Sequence, residues 1–515
     1  MGPGFPAEKC TVIKERLVMQ NFLSSLKETF SGNFLYRKRF LFFLVIACGM
    51  LFAALPYLFR ALWFDEVLTM EVFVHPIPLS RIYWAYNIPN NHIIYTLVQK
   101  LWIMLLEADG PRPYFFYRFV SLFAAVPAVY LVTVYFLRKA SFAGLLVAAA
   151  LCLNTTFILF ATSIRGYMFS FLFCTAAFIS MEKLLKRPSF LTGASYFFWC
   201  ILSVGTIPAN LASLGAGVGF FLPALFFRKK RRMKTLLFLA VTPFIALFLF
   251  YFPIARKFFA NMDRGEGWTS PAAAAHNLYF AFFVIFAAVI PFAVLGAIKI
   301  AEKYPRLRWN VVIAFLIFLV PTPAFFVFKN AAFPRVFFPL FPVWAMVTAY
   351  GFAMYVKNEK RLFPKLLPFV LQLLVTVLLL FHAPTVSDFL FISGRDDDLT
   401  MPYHLRHTFT PPLILQEIGR RLQEGEKLYV YSTFHSDAPA NAFQVMVMGL
   451  PPDVVRTDVF GGFWEKELLD RHKEGYHIYF ITGNELDLQY NIRRFGLHGS
   501  EPVLIHQYQR LDRIY

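Results

Sequence analysis

The sequence predicts an all-α polytopic membrane protein of about eleven transmembrane helices, followed by an extracytoplasmic α/β domain at the C-terminal end. Three observations predict it. Of 515 residues, 58% are hydrophobic and 64 are Phe, too apolar for a soluble globular chain, and the apolar residues fall in many separate runs of spanning length. Lys and Arg, which give a formal net charge of +19, gather in short loops between those runs. That is the bias of cytoplasmic loops, not of a nucleic-acid surface. After residue 383 the runs stop and polar, alternating segments begin.

Residues 1–36 are polar and mixed, with a weakly amphipathic stretch from Val12 to Phe30 expected to lie on the membrane surface. Arg37-Lys38-Arg39 then holds the N-terminus in the cytoplasm. The run from Phe40 to Leu58 is too long for a cleavable leader and lacks a small-residue cleavage site, so it is expected to be an anchor. Further runs occupy 115–137, 142–163, 166–181, 190–206, 209–227, 235–254, 277–298, 310–328, 336–355 and 366–383, within a membrane domain of residues 37–383. Some are short enough to be re-entrant or kinked.

Alternation can be tested against charge. The expected inner loops carry Arg138-Lys139, then Lys183, Lys186 and Arg187, then Arg228 to Lys234, then Lys299, Lys303, Arg306 and Arg308, and finally Lys357, Lys360, Arg361 and Lys365. All are basic and nearly free of acid. The pattern holds only if residues 91–107, with Gln99 and Lys100 in their middle, do not span; they are expected to form an amphipathic helix at the outer interface. Residues 384–515 then form the external domain, with strands at 427–433, 477–482 and 502–510 and helices at 464–473 and 485–495. The five cysteines have no metal-like spacing and read as buried small hydrophobes without a disulfide framework.

With this topology the unusual polar residues meet at the outer face: Asp65-Glu66 in the first external loop (60–114), Asn90-Asn91-His92, Arg118, Arg165-Gly166-Tyr167, His276-Asn277, Lys329-Asn330 and Arg335. Paired carboxylates supply a base and a partner that orients it. Arginines at a membrane surface supply the fixed charge and bidentate donors that a phosphate needs. Plainer readings exist: a carboxylate paired with Arg60 or Arg81, and arginines snorkelling at helix ends. No His-x-x-x-His or Cys pairing supports a metal, and Asp396-Asp397-Asp398 reads as a solvated charge run.

These residues resemble the GT-C glycosyltransferases, in particular the protein O-mannosyltransferase and aminoarabinose transferase relatives. The matching segments, in order, are Leu62-Trp63-Phe64-Asp65-Glu66, Asn91-His92-Ile93-Ile94-Tyr95, Tyr117-Arg118-Phe119-Val120-Ser121, Ile164-Arg165-Gly166-Tyr167 and Phe333-Pro334-Arg335-Val336-Phe337-Phe338-Pro339. The resemblance spans residues 40–340, and departs from the family where Ile93-Ile94 replaces the Pro-Pro after the His. It implies an integral-membrane inverting glycosyltransferase in a bacterial-type inner membrane, moving a sugar from a polyprenyl-phosphate donor to an external envelope lipid, glycan or protein. Asp65 would be the base, and Glu66 would orient the acceptor or neighbouring side chains. Arg165 and Arg335 would clamp the phosphate, and His92 would contact sugar or phosphate. Asn91, Arg118, Tyr167 and Lys329 complete the expected binding set. No cofactor is expected, and a divalent metal is left open. Competing readings are a polysaccharide polymerase or ligase, whose key residues would sit in a large later loop, and a lipid flippase or transporter, which would keep charges at mid-membrane.

Overall fold

A computed structural model describes residues 36–59, 66, 69–86, 91–106, 113–226, 231–263, 298, 338–340 and single positions between 367 and 378, and in the C-terminal region 419–432, 455–457, 465–482, 493 and 504–507. The expected spans at 277–298, 310–328, 336–355 and 366–383 and the expected helix at 485–495 lie, apart from isolated positions, outside the described residues.

Helix α1 (Arg39–Leu58) buries Ile46, Ala47, Met50, Ala54 and Leu58, the spacing of one helical face. Its other face leaves Phe40, Val45, Phe52 and Leu55 exposed, as a lipid-facing helix requires. A six-residue π-helix (Thr69–Val74) and a short α2 (Leu79–Ile82) lead to α3 (Ile93–Leu105). At 13 residues α3 is about 20 Å long, too short for a hydrocarbon core of about 30 Å. Its Gln99 points inward, donating to the Tyr117 carbonyl at 3.1 Å and accepting from the Tyr95 hydroxyl at 3.1 Å. Leu101, Met104 and Leu105 are exposed instead. Gln99, in the polar middle of α3, is thus paired with protein groups.

Helix α4 runs from Tyr114 to Cys152, and 39 residues in a straight line would measure about 58 Å. It is not straight. A Cβ on Gly144 would overlap the carbonyl oxygen of Phe136, whereas eight residues of straight helix separate two positions by about 12 Å. The chain therefore doubles back beside Arg138-Lys139, and the apolar stretch Phe115–Ala140 is one candidate span. The returning limb, Gly144–Cys152, meets α5 (Thr155–Ala161) at 54°. Asn154 caps α5 by accepting from the Thr156 amide at 2.8 Å.

Helix α6 (Tyr167–Lys186) is buried on nearly every side and forms the centre of the bundle. Around it pack α4, α7 (Phe190–Thr206), α8 (Asn210–Phe226) and α9 (Arg231–Tyr251). A reciprocal capping box between Ser189 and Thr192 starts α7. A single 3₁₀ turn (Phe252–Ile254) carries α9 into α10 (Ala255–Asp263). Among the described residues four stretches are long and apolar enough to cross a bilayer, Arg39–Leu58, Phe115–Ala140, Tyr167–Lys186 and Met233–Ala260, and the bent pair would be a fifth.

Chain direction gives the bundle two unlike ends. At one, Glu182 near the end of α6 accepts from the Tyr135 hydroxyl at 2.7 Å and pairs with Lys139 and Lys186. At the other, the C-termini of α1, α5 and α7 meet the N-termini of α3, α4 and α6.

In the C-terminal region β1 (Leu428–Ser432), β2 (Val455–Thr457), β3 (His477–Thr482) and β4 (Leu504–Gln507) form an all-parallel sheet in the order β2-β1-β3-β4. Helix α11 (Glu465–Lys473) precedes β3, and Gly475, at φ 82°, supplies the left-handed turn between them. The expected strands at 427–433 and 477–482 and helix at 464–473 match β1, β3 and α11, β4 falls within the expected strand at 502–510, and β2 is additional to the expected strands.

Candidate active site

The end of the bundle opposite Glu182 holds most of the residues singled out from the sequence. Glu66 is fully buried, and both its carboxylate oxygens are engaged: Oε2 accepts from Arg118 Nη2 at 2.9 Å and Oε1 from the Ile164 backbone amide at 2.8 Å. Arg118, in the second turn of α4, also donates from Nη1 to the Leu58 carbonyl at the end of α1, 2.9 Å away. A cation at a helix C-terminus satisfies an otherwise orphaned carbonyl and opposes the helix dipole. Ser121, one turn further along α4, donates to the Ser163 carbonyl. Ser121 therefore grips the loop before α6 from α4, and Glu66 links the same loop through Arg118 to the end of α1.

The loop delivers Arg165 and Gly166 to the start of α6. Arg165 is 1% exposed and donates from Nη1 to Thr69 Oγ1 at 3.0 Å, on the first residue of the π-helix. Such π-turns recur at functional sites. Its guanidinium lies 5.8 Å from the ring centroid of Tyr167. His92, the N-cap of α3, meets the Tyr167 ring edge-on at 5.2 Å, accepts from the Gly166 amide on Nδ1 at 2.8 Å, and brings Nε2 to 3.5 Å from Arg165 Nη2.

Asn91 braces this arrangement: its amide donates to the Ala85 carbonyl at 3.0 Å and its oxygen accepts from Thr96 at 2.9 Å. The preceding loop is fixed in turn by Tyr83, whose hydroxyl donates to the Phe250 carbonyl, and by the Tyr86–Tyr251 ring contact at 5.6 Å. Burial pushes both loop phenols upward in pKa, so they remain protonated.

Glu66, Asn91, His92, Arg118, Arg165 and Tyr167 thus come together at one end of the fold. Asp65, Lys329 and Arg335 lie outside the described residues. Phe338, three positions after Arg335, packs its ring on Phe160 at 4.7 Å and Phe171 at 4.8 Å, and Phe160 in turn touches Tyr167 at 4.9 Å. Sequence reasoning missed Thr69, the Ile164 amide and Ser163 as partners; no residue pattern marks a donor or acceptor whose partner lies some forty to a hundred positions away.

Beside this cluster an apolar groove of about 650 Å³ runs between α3, α4 and α6, lined among others by Val98, Trp102, Leu105, Phe123, Phe169 and Phe173. It follows the second half of α3, from Val98 to Leu105. Among the described residues no group of three or more His, Cys, Asp or Glu is placed to hold a metal ion.

No family model and no curated protein matches the chain. Among solved structures it is similar to the Archaeoglobus fulgidus oligosaccharyltransferase tethered to an acceptor peptide, with a TM-score of 0.44 at 12% identity over 80% of this chain. The chain spans 63% of that enzyme's length. It is also similar to ArnT from Cupriavidus metallidurans in the apo state, with a TM-score of 0.43 at 13% identity, covering 91% of this chain and 86% of that one.

Proposed function

We propose that this chain is an integral-membrane inverting glycosyltransferase of the GT-C type, which moves a sugar from a polyprenyl-phosphate donor to a hydroxyl acceptor on the outer side of the membrane. The observation that carries the reading is the joining of two chemistries along α3, α4 and α6. A buried Glu66–Arg118 pair and the adjacent Arg165–His92–Tyr167 cluster share α3, α4 and α6 with an apolar groove, which begins on α3 at Val98, six residues after the His92 cap. A polar, charge-bearing head next to an apolar channel matches a ligand with an ionic head and an isoprenoid tail.

In this reading Asp65 takes the proton of the acceptor hydroxyl as its oxygen attacks the anomeric carbon. The bond from that carbon to the phosphate oxygen breaks with inversion, and the polyprenyl phosphate leaves with the electron pair. Glu66, with both oxygens occupied, serves as the fixed point that positions its neighbour. Arg118, fully buried against Glu66, is assigned to that anchor rather than to the phosphate. Arg165 and Arg335 stabilise the departing phosphate; a well-placed donor of this kind is worth about 3–4 kcal/mol of barrier. Lys329 is assigned to the same phosphate region and Tyr167 to the sugar face. The basic end around Lys139 and Lys186 is assigned to the cytoplasm, and the C-terminal sheet to the outside.

The test is biochemical. Membranes carrying the protein should release free polyprenyl phosphate from a polyprenyl-phosphate sugar in an acceptor-dependent way, and cells lacking it should accumulate the charged donor. Absence of both effects would remove the lipid-linked donor from the proposal.

A further inference from the structure

We infer that Gly166 is a positioning residue of the proposed transfer: its backbone amide fixes His92 as a hydrogen-bond donor at Nε2 and thereby bars it from acting as the base. The inference rests on the glycosyltransferase reading for its catalytic consequence, but its structural content stands apart from it.

Two of the contacts to the imidazole compete. The Gly166 amide lies 2.8 Å from Nδ1, and Arg165 Nη2 lies 3.5 Å from Nε2. Both outside groups carry hydrogens, and neither can accept. A neutral imidazole has one bare nitrogen, so only one of these contacts is a hydrogen bond. The shorter wins: 2.8 Å is an ordinary hydrogen-bond length, whereas 3.5 Å is beyond the usual range for N–H donors. Nδ1 is therefore bare, and the ring proton sits on Nε2. That N–H and the Arg165 guanidinium lie side by side, two donor groups on one edge of the site. Such an edge suits an oxygen-rich anion such as a phosphate, and it leaves proton abstraction to a carboxylate.

Only glycine permits the arrangement. A Cβ at position 166 would stand 2.9 Å from His92 Nδ1 and 2.8 Å from the Thr206 methyl carbon. Gly166 has φ −72°, open to any residue, so the constraint is close approach and not backbone strain. His92 cannot retreat freely, because its ring is also held against Tyr167 and it caps a helix that is pinned through Gln99. A side chain at 166 would displace the imidazole and weaken the bond that sets its tautomer.

The test uses the full chain in lipid with ¹⁵N-labelled histidine, the His92 signals being assigned by difference against His92→Gln. The expected spectrum has a protonated Nε2 and a bare, hydrogen-bonded Nδ1; a proton on Nδ1 overturns the inference. Adding a long-chain polyprenyl monophosphate should shift the Nε2 signal. The expected tautomer without that shift upholds the role of Gly166 and refutes the lipid-phosphate reading, so the two failures are distinguishable. In the transfer assay Gly166→Ala should lose roughly 10–100-fold, the scale of a misplacement of about 1 Å. His92→Gln, whose amide N–H reaches as far as Nε2, should retain more activity than His92→Asn, whose amide reaches only to Nδ1. The reverse order overturns the inference even if Gly166→Ala does not fold.

Discussion

Arg118 and Glu66 form a 2.9 Å ion pair with both side chains fully buried, and each partner is also bonded to backbone in a different segment. The pair joins the end of α1, the start of α4 and the loop that opens α6. Its position makes it the anchor of the candidate site, and its burial sets the cost of disturbing it.

Removing one charge should therefore be worse than removing both. Glu66→Gln leaves an uncompensated buried guanidinium and should destabilise the protein by about 3–5 kcal/mol, while Glu66→Gln combined with Arg118→Gln should cost less than the sum of the single changes. Thermal unfolding in detergent across the four-member cycle measures this. Strict additivity would mean that the two side chains are not energetically coupled.

Asp65→Asn is nearly isosteric and removes the proton acceptor. It should abolish turnover while leaving the folded protein able to bind polyprenyl phosphate. Near-normal turnover would transfer the base role to another group.

Arg165 and Arg335 should respond in a graded way if they share one phosphate. Replacement by Lys keeps charge and loses the planar fork, and replacement by Ala loses both, so activity should fall from wild type to Lys to Ala, with donor affinity falling alongside. Because they act on one group, the double alanine variant should depart from additivity. Donor affinity unchanged in both alanine variants would send the phosphate elsewhere.

Glu182 offers a contrast at the opposite end. It accepts from Tyr135 and pairs with Lys139 and Lys186, far along α6 from Arg165. Glu182→Gln should lower thermal stability by about 1–3 kcal/mol and leave the transfer rate per folded molecule unchanged. A rate loss exceeding the loss of folded protein would link that end to the chemistry.

Membrane orientation is open to a direct measurement. A reporter fused after Arg138, where the chain doubles back, should be cytoplasmic, and one after Pro384 external. Both reporting the same side would sink the alternation of basic loops and the shared outer site together.

Much of the local architecture is legible in the chain because it depends on neighbours in sequence. The buried stripe of α1 repeats at helical spacing, Asn91-His92 precedes an apolar helix, Arg118 and Ser121 are one turn apart, and the alternating strands at 428–432 and 477–482 follow turn glycines. Such features are set by helical or strand period and by caps, which act over a few residues. What the tertiary structure decided is which partner each group takes. Gln99, on a helix expected at the outer interface, is held inward by the Tyr117 carbonyl and the Tyr95 hydroxyl. Thr69, the Ile164 amide and the Gly166 amide become site groups only when segments some seventy to a hundred residues apart are packed together. Backbone amides look alike in every sequence, and a buried carboxylate or imidazole must find a donor wherever the packed chain supplies one. The sequence by itself therefore determined which residue types were available at this end of the bundle; their pairing, and with it the tautomer of His92, is a property of the fold.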